Sequence, residues 1–160
     1  MDKTLELIKG FEGLRLEAYK CSAGVWTIGY GHTNGVKRGQ KCTIMQAEQW
    51  LFDEVQDFRE KVIEELPAGF DDVNKIAALT SFAYNVGINA FKGSTLLKIL
   101  KKNPNDLQLV REFARWNKSK GVVIIGLWVR RKKECLTYFE SYENKNDLYH
   151  AIRLYFNGVK

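Results

Sequence analysis

The sequence predicts an α+β fold with two lobes: a helix and a short antiparallel sheet, a long connecting helix, then a helical lobe. Three observations carry that expectation. β-forming residues cut by glycines cluster within residues 14–34. A one-faced apolar pattern then runs for about six turns. Further helical patterns follow, separated by Asn-Pro at 103–104, Gly121 and Asn144-Lys145-Asn146. The boundaries fall at about 1–42, 43–66 and 67–160 within one domain of 160 residues.

Each element has a local reason. Leu5, Ile8 and Phe11 share one face of a helix over 3–11, and Gly10 and Gly13 bracket its end. Val25, Trp26, Thr27, Ile28 and Tyr30 favour strands, interrupted by Gly24, Gly29, Gly31 and Gly35. Thr43 and Gln46 have the spacing of a capping box, which starts the long helix. Its apolar positions are Ile44, Ala47, Leu51, Val55, Phe58, Val62 and Leu66, and Pro67 stops it. Asp71 or Asp72 caps a central helix over Val73 to Val86, closed by Gly87. Helices are expected at 94–102, 107–117, 127–140 and 147–157.

Composition narrows the class. Two prolines and 45% apolar residues exclude a disordered or collagen-like chain. The net charge of +6 favours a polyanion: nucleic acid, an anionic membrane face or a wall polymer. No nucleic-acid-binding motif accompanies it, so nucleic acid is not an expected partner. Cys21, Cys42 and Cys135 are odd in number and widely spaced, as expected of thiols in a reducing cytosol. With no CxxC pair and only His32 and His150, no metal or cofactor is expected. The start Met1-Asp2-Lys3-Thr4 carries no secretory pattern, and the apolar run Gly121 to Val129 is too short to span a bilayer. The expectation is a soluble, cytoplasmic, monomeric protein without stable membrane insertion.

Several residues invite two readings each. Glu12 is either a solvated helix-end charge or a carboxyl at a cleft wall. Apolar surroundings disfavour the charged form there, which is what a general acid requires. Thr27 is a strand filler or a hydroxyl that orients a water. Cys21 is a small hydrophobe or an activated thiol. His32 reads as structural, fixing the floor of a cleft by a hydrogen bond. Arg130, Arg131, Lys132 and Lys133 read as a solvated helix face that also meets anions of a wall polymer, in a salt-sensitive way. Trp26, Trp50, Trp116 and Trp128 suit core positions better than sugar stacking.

In combination these residues are specific. Glu12, eight residues, Cys21, five residues and Thr27, followed by Ile28-Gly29-Tyr30-Gly31-His32-Thr33, resemble the active-site segment of the phage lysozymes, or endolysins. The resemblance extends to Ser81-Phe82-Ala83-Tyr84-Asn85-Val86-Gly87, Ser94-Thr95-Leu96-Leu97 and Gly126-Leu127-Trp128-Val129-Arg130-Arg131, covering roughly residues 3–140. It implies a lysozyme-like fold and a phage or prophage muramidase. Such a bacteriolytic, antimicrobial hydrolase cuts the β-1,4 bond between N-acetylmuramic acid and N-acetylglucosamine in peptidoglycan. It implies Glu12 as general acid, Thr27 as the water-positioning hydroxyl, and His32, Thr33, Tyr84 and Asn85 as substrate contacts. It also implies release to the wall through a holin pore, with lysis of the host. Cysteine at position 21 stands where other members have aspartate. It is kept as catalytic, a partly ionised base although mostly protonated at neutral pH, with thiolate attack on the anomeric carbon or a bystander role as the alternatives. A lytic transglycosylase and a non-catalytic wall-binding homologue are the alternatives.

Overall fold

Asp2 opens the first helix by accepting a hydrogen bond from the Thr4 amide at 2.8 Å. In this computed structural model, which describes residues 2–21 and 23–156, that helix is α1 (Lys3–Glu12). Thr4, Leu7 and Ile8 form its buried face. Strands β1 (Arg15–Lys20) and β2 (Trp26–Gly29) then pair antiparallel, with Tyr19 opposite Thr27 and Lys20 opposite Trp26. Beyond β2 the chain doubles back at once. Ile28 and His32 exchange both backbone hydrogen bonds at 2.9 Å around a turn with positive φ at Gly29 and Gly31.

The capping box expected at Thr43 is present. The Thr43 amide donates to Gln46 Oε1 at 2.9 Å, and the Gln46 amide donates to Thr43 Oγ1 at 3.2 Å. Helix α2 follows as Ile44–Ile63, with Ala47, Leu51, Val55 and Val62 buried along one stripe. It stops a turn before Pro67 because Glu65 and Leu66 bond three residues back, to Val62 and Ile63, tightening the chain. Ile44, expected on the apolar face, is exposed at the helix start.

The chain forms two compact units, Met1–Asp57 and Phe58–Lys160. In the first, Leu7, Ile8, Ile28, Ala47, Leu51 and Val55 make a small core. Gly29 is required in it. Its φ is +67°, and a Cβ there would lie 3.1 Å from that of Ala47.

The second unit is helical. Asp72 caps α3 (Val73–Val86), accepting from the Asn74 and Lys75 amides at 3.0 Å. Residues Ala77 through Ala83 are all buried, as a central helix packed on several sides requires. Then come α4 (Ile88–Lys92), α5 (Thr95–Lys102), α6 (Gln108–Ala114), α7 (Ile125–Tyr138) and α8 (Lys145–Phe156). Phe82 is the hub, meeting Phe91, Phe113 and Trp116 edge to face at 5.4–6.4 Å.

Three expectations are corrected. Helix α4 was not expected; five residues are too few to display a period. A hairpin, β3 (Lys118–Ser119) with β4 (Val122–Val123), occupies a stretch read only as a helix boundary, and α7 begins at Ile125 rather than 127. The basic run is not a solvated face, because Arg130 and Arg131 are buried around an equally buried Glu134. Glu134 Oε1 accepts from Ser81 Oγ at 2.7 Å, Arg130 Nε at 3.1 Å and Arg131 Nη2 at 3.0 Å. The Arg131 guanidinium also lies 4.9 Å from the Phe82 ring centroid. Burial pushes the Glu134 carboxyl up, against the pull of both arginines, and brings Arg131 down to about 10.

Among the described residues, no helix is long and apolar enough to cross a membrane.

Candidate active site

The expected catalytic residues all fall in the first unit, on α1, β1, β2 and the turns that join them. Glu12 ends α1, and Gly13 breaks the helix directly after it with φ +69°. The Glu12 side chain is half-buried beside the turn after β2. Its Oε2 lies 3.8 Å from where a Cβ on Gly31 would stand. Gly31, with φ +103°, permits the turn against which this carboxyl rests.

Cys21 stands where β1 ends. Its amide donates to the Val25 carbonyl at 3.0 Å, and its own carbonyl accepts from the Gly24 amide at 2.8 Å. That closed turn carries the chain into β2 and brings Thr27 back against Cys21. Backbone hydrogen bonding from Val25, then from Ala23, lowers the Cys21 thiol below the usual range against an opposing desolvation, with a smaller contribution from the Thr27 hydroxyl. Cys42 is pushed the other way, because burial outweighs a hydrogen bond at the Gly29 backbone. Cys135, in the second unit, is buried in the core and is pushed up strongly by desolvation. All three are free thiols.

Thr27 is buried, and its Oγ1 donates to the Val25 carbonyl at 3.1 Å. A hydroxyl has one proton and two lone pairs. With that proton on Val25, Thr27 Oγ1 can only accept, from a thiol or from a water. Facing a thiolate, the proton must swing to sulfur and release Val25.

His32 lies in the turn after β2. Its Nδ1 is 2.6 Å from Glu54 Oε1, and its ring stacks on Trp50 with centroids 4.6 Å apart. A carboxylate only accepts, so Nδ1 is the donor of this bond. Trp50 and Glu54 are one turn apart on α2, which gives them a common face. Thr33 is exposed. Tyr84 and Asn85 belong to the second unit, at the C-terminal end of α3, where Tyr84 meets Phe58 edge-on at 5.3 Å. The β1–β2 turn thus brings Cys21 and Thr27 onto one hairpin, while His32 is tied to α2.

Sequence reasoning missed Glu54 and read Trp50 only as a core residue. The four-residue spacing of Trp50 and Glu54 was visible, but their convergence on a histidine 22 positions back in the chain was not. Among the described residues, no group of three His, Cys, Asp or Glu side chains is placed to hold a metal ion.

A small sheet-bearing unit with this carboxyl, thiol and hydroxyl, together with a helical unit, defines a lysozyme-like α+β protein. The phage lysozyme family profile matches residues 9–134, and the chain belongs to that family. It is 46% identical over 133 residues to the endolysin of Bacillus phage PZA, covering 81% of this chain and 51% of that one. To the endolysin of Bacillus phage B103 it is 43% identical over 145 residues, covering 89% and 54%. The chain thus spans about half the length of these two relatives. Among solved structures, the endolysin from Escherichia coli O157:H7 phage FAHEc1 superposes with a TM-score of 0.78 at 40% identity, covering 88% of this chain and 93% of that one.

Proposed function

We propose that the protein is an endolysin: a muramidase that hydrolyses the β-1,4 bond between N-acetylmuramic acid and N-acetylglucosamine in bacterial peptidoglycan. The observation that carries this reading is one small unit that holds the Glu12 carboxyl beside the turn after β2, with Cys21 and Thr27 on either side of the β1–β2 turn. Glu12 gives its proton to the glycosidic oxygen as the bond to the anomeric carbon breaks. A water donates a hydrogen bond to Thr27 Oγ1, whose own proton turns from the Val25 carbonyl to the Cys21 thiolate. The water oxygen bonds to the anomeric carbon, and its proton passes to Cys21 in the thiolate form. His32, Thr33, Tyr84 and Asn85 contact the glycan. The protein works as a monomer, waits in the host cytoplasm and reaches the wall through a holin pore.

Clearing of a purified peptidoglycan suspension tests the proposal. The unaltered protein clears it, and Glu12→Gln slows clearing by roughly 10²–10⁴-fold, the span expected for a lost general acid. Equal clearing by both removes Glu12 from the mechanism. The thiol in place of a second carboxylate favours one other outcome, attack by the muramic C6 hydroxyl, which leaves 1,6-anhydro ends instead of reducing ends. Analysis of the released fragments separates the two reactions.

A further inference from the structure

The β3–β4 hairpin projects an apolar surface that no core explains. Its two turn residues, Lys120 and Gly121, both have positive φ, 49° and 81°, as a tight two-residue hairpin turn requires. Successive strand residues point to opposite faces, yet Val122 and Val123 are 64% and 38% exposed, so one face of the ribbon is open and the other only partly covered. The exposure continues through Ile124 and Ile125 and returns one turn later at Val129. Val122 and Ile125 are 64% and 67% exposed. Helix α7 turns its other side, with Arg130, Arg131, Glu134, Cys135 and Tyr138, to the interior. Single exposed aliphatic residues are ordinary; five within eight positions form a patch.

The charge around this patch has one sign. Residues 113–133 contain no Asp or Glu. Lys118 and Lys120 are exposed on the hairpin, Lys133 is exposed on α7, and Lys132 lies 5.1 Å over the Trp128 ring. The acids that border the stretch are buried and paired: Glu112 with Arg115 at 3.4 Å, and Glu134 with its two arginines.

We propose that this hairpin and the first turn of α7 adsorb to an anionic lipid membrane surface. The occupant must present uniform negative charge with an apolar layer just beneath it. An anionic bilayer does so: lysines meet the headgroups while the aliphatic side chains enter the acyl boundary. Glycan recognition calls for aromatic faces and hydrogen-bonding side chains, and five branched aliphatic residues offer neither. The hairpin lies on the bilayer and does not span it. This binding is independent of the proposed hydrolysis, so its test needs no peptidoglycan.

The full chain is sedimented with vesicles of phosphatidylglycerol and phosphatidylcholine, and with phosphatidylcholine vesicles alone. Binding to the anionic vesicles, weakened by salt, is expected. The double variants Val122→Ser with Ile125→Ser, and Lys118→Glu with Lys120→Glu, each lower it on the order of tenfold or more. All four positions are exposed, and an unchanged melting temperature verifies folding. Glu12→Gln keeps vesicle binding whatever becomes of its activity. Equal sedimentation with both vesicle types, or unchanged binding by both double variants, overturns the proposal. So does a protein that ignores vesicles but loses binding to purified peptidoglycan in these variants, since the surface would then belong to the wall.

Discussion

Thr27 Oγ1 donates its proton to the Val25 carbonyl at 3.1 Å, and the same hydroxyl helps to hold the Cys21 thiol below its usual range. A thiolate draws that proton to itself, whereas a thiol leaves it on Val25. The protonation state at position 21 therefore sets which way the Thr27 hydroxyl is oriented.

Substitution at position 21 exposes this dependence. Cys21→Ser should lower peptidoglycan clearing strongly, since a hydroxyl does not ionise at neutral pH. Cys21→Asp should keep it, with a carboxylate accepting the Thr27 proton. Equal clearing by the native protein and Cys21→Ser would show that the sulfur takes no part.

Thiol reactivity should rank the three cysteines. Thiolate is the reactive form. Cys21, lowered by the Val25 and Ala23 backbone, should take iodoacetamide first, and its rate should climb with pH before that of an ordinary thiol. Cys42 should lag because burial raises it, and Cys135 should react only on unfolding. Peptide mass spectrometry across a pH series reads the order; a leading Cys42 contradicts it.

Glu134→Gln should destabilise the helical unit. It preserves size and much of the hydrogen bonding but leaves the fully buried Arg131 without its counter-charge. Breaking such a pair costs about 3–5 kcal/mol. At 2–4 °C per kcal/mol for a chain of this size, melting should fall by roughly 10 °C. Thermal unfolding at neutral pH measures it, and an unchanged midpoint would mean the carboxylate is not balancing Arg131.

Gly29→Ala should cost about 1–3 kcal/mol, from a left-handed backbone combined with a methyl pressed on α2. The new Cβ would lie 3.1 Å from that of Ala47 and 3.4 Å from its Cα. Denaturant unfolding gives the value. The double change Gly29→Ala with Ala47→Gly should recover the contact part and leave the backbone part.

What the chain determined by itself was local. Thr43 with Gln46, Asp72 before α3, and Gly13 and Gly87 at helix ends act within one or two turns, so their spacing is enough to read them. The order Glu12, Cys21, Thr27 was legible only through its resemblance to a known family, since each residue alone reads as well as a solvated charge, a small hydrophobe or a strand filler. Tertiary structure decided which polar groups lost water. Four consecutive cations look like a solvated face until Glu134 and Ser81 draw two of them into the core, and nothing in the linear order signals that. It also left Val122 to Ile125 outside, although their hydrophobicity argues for burial. Burial depends on which neighbours arrive from distant parts of the chain, whereas a cap or a turn needs only the residues beside it.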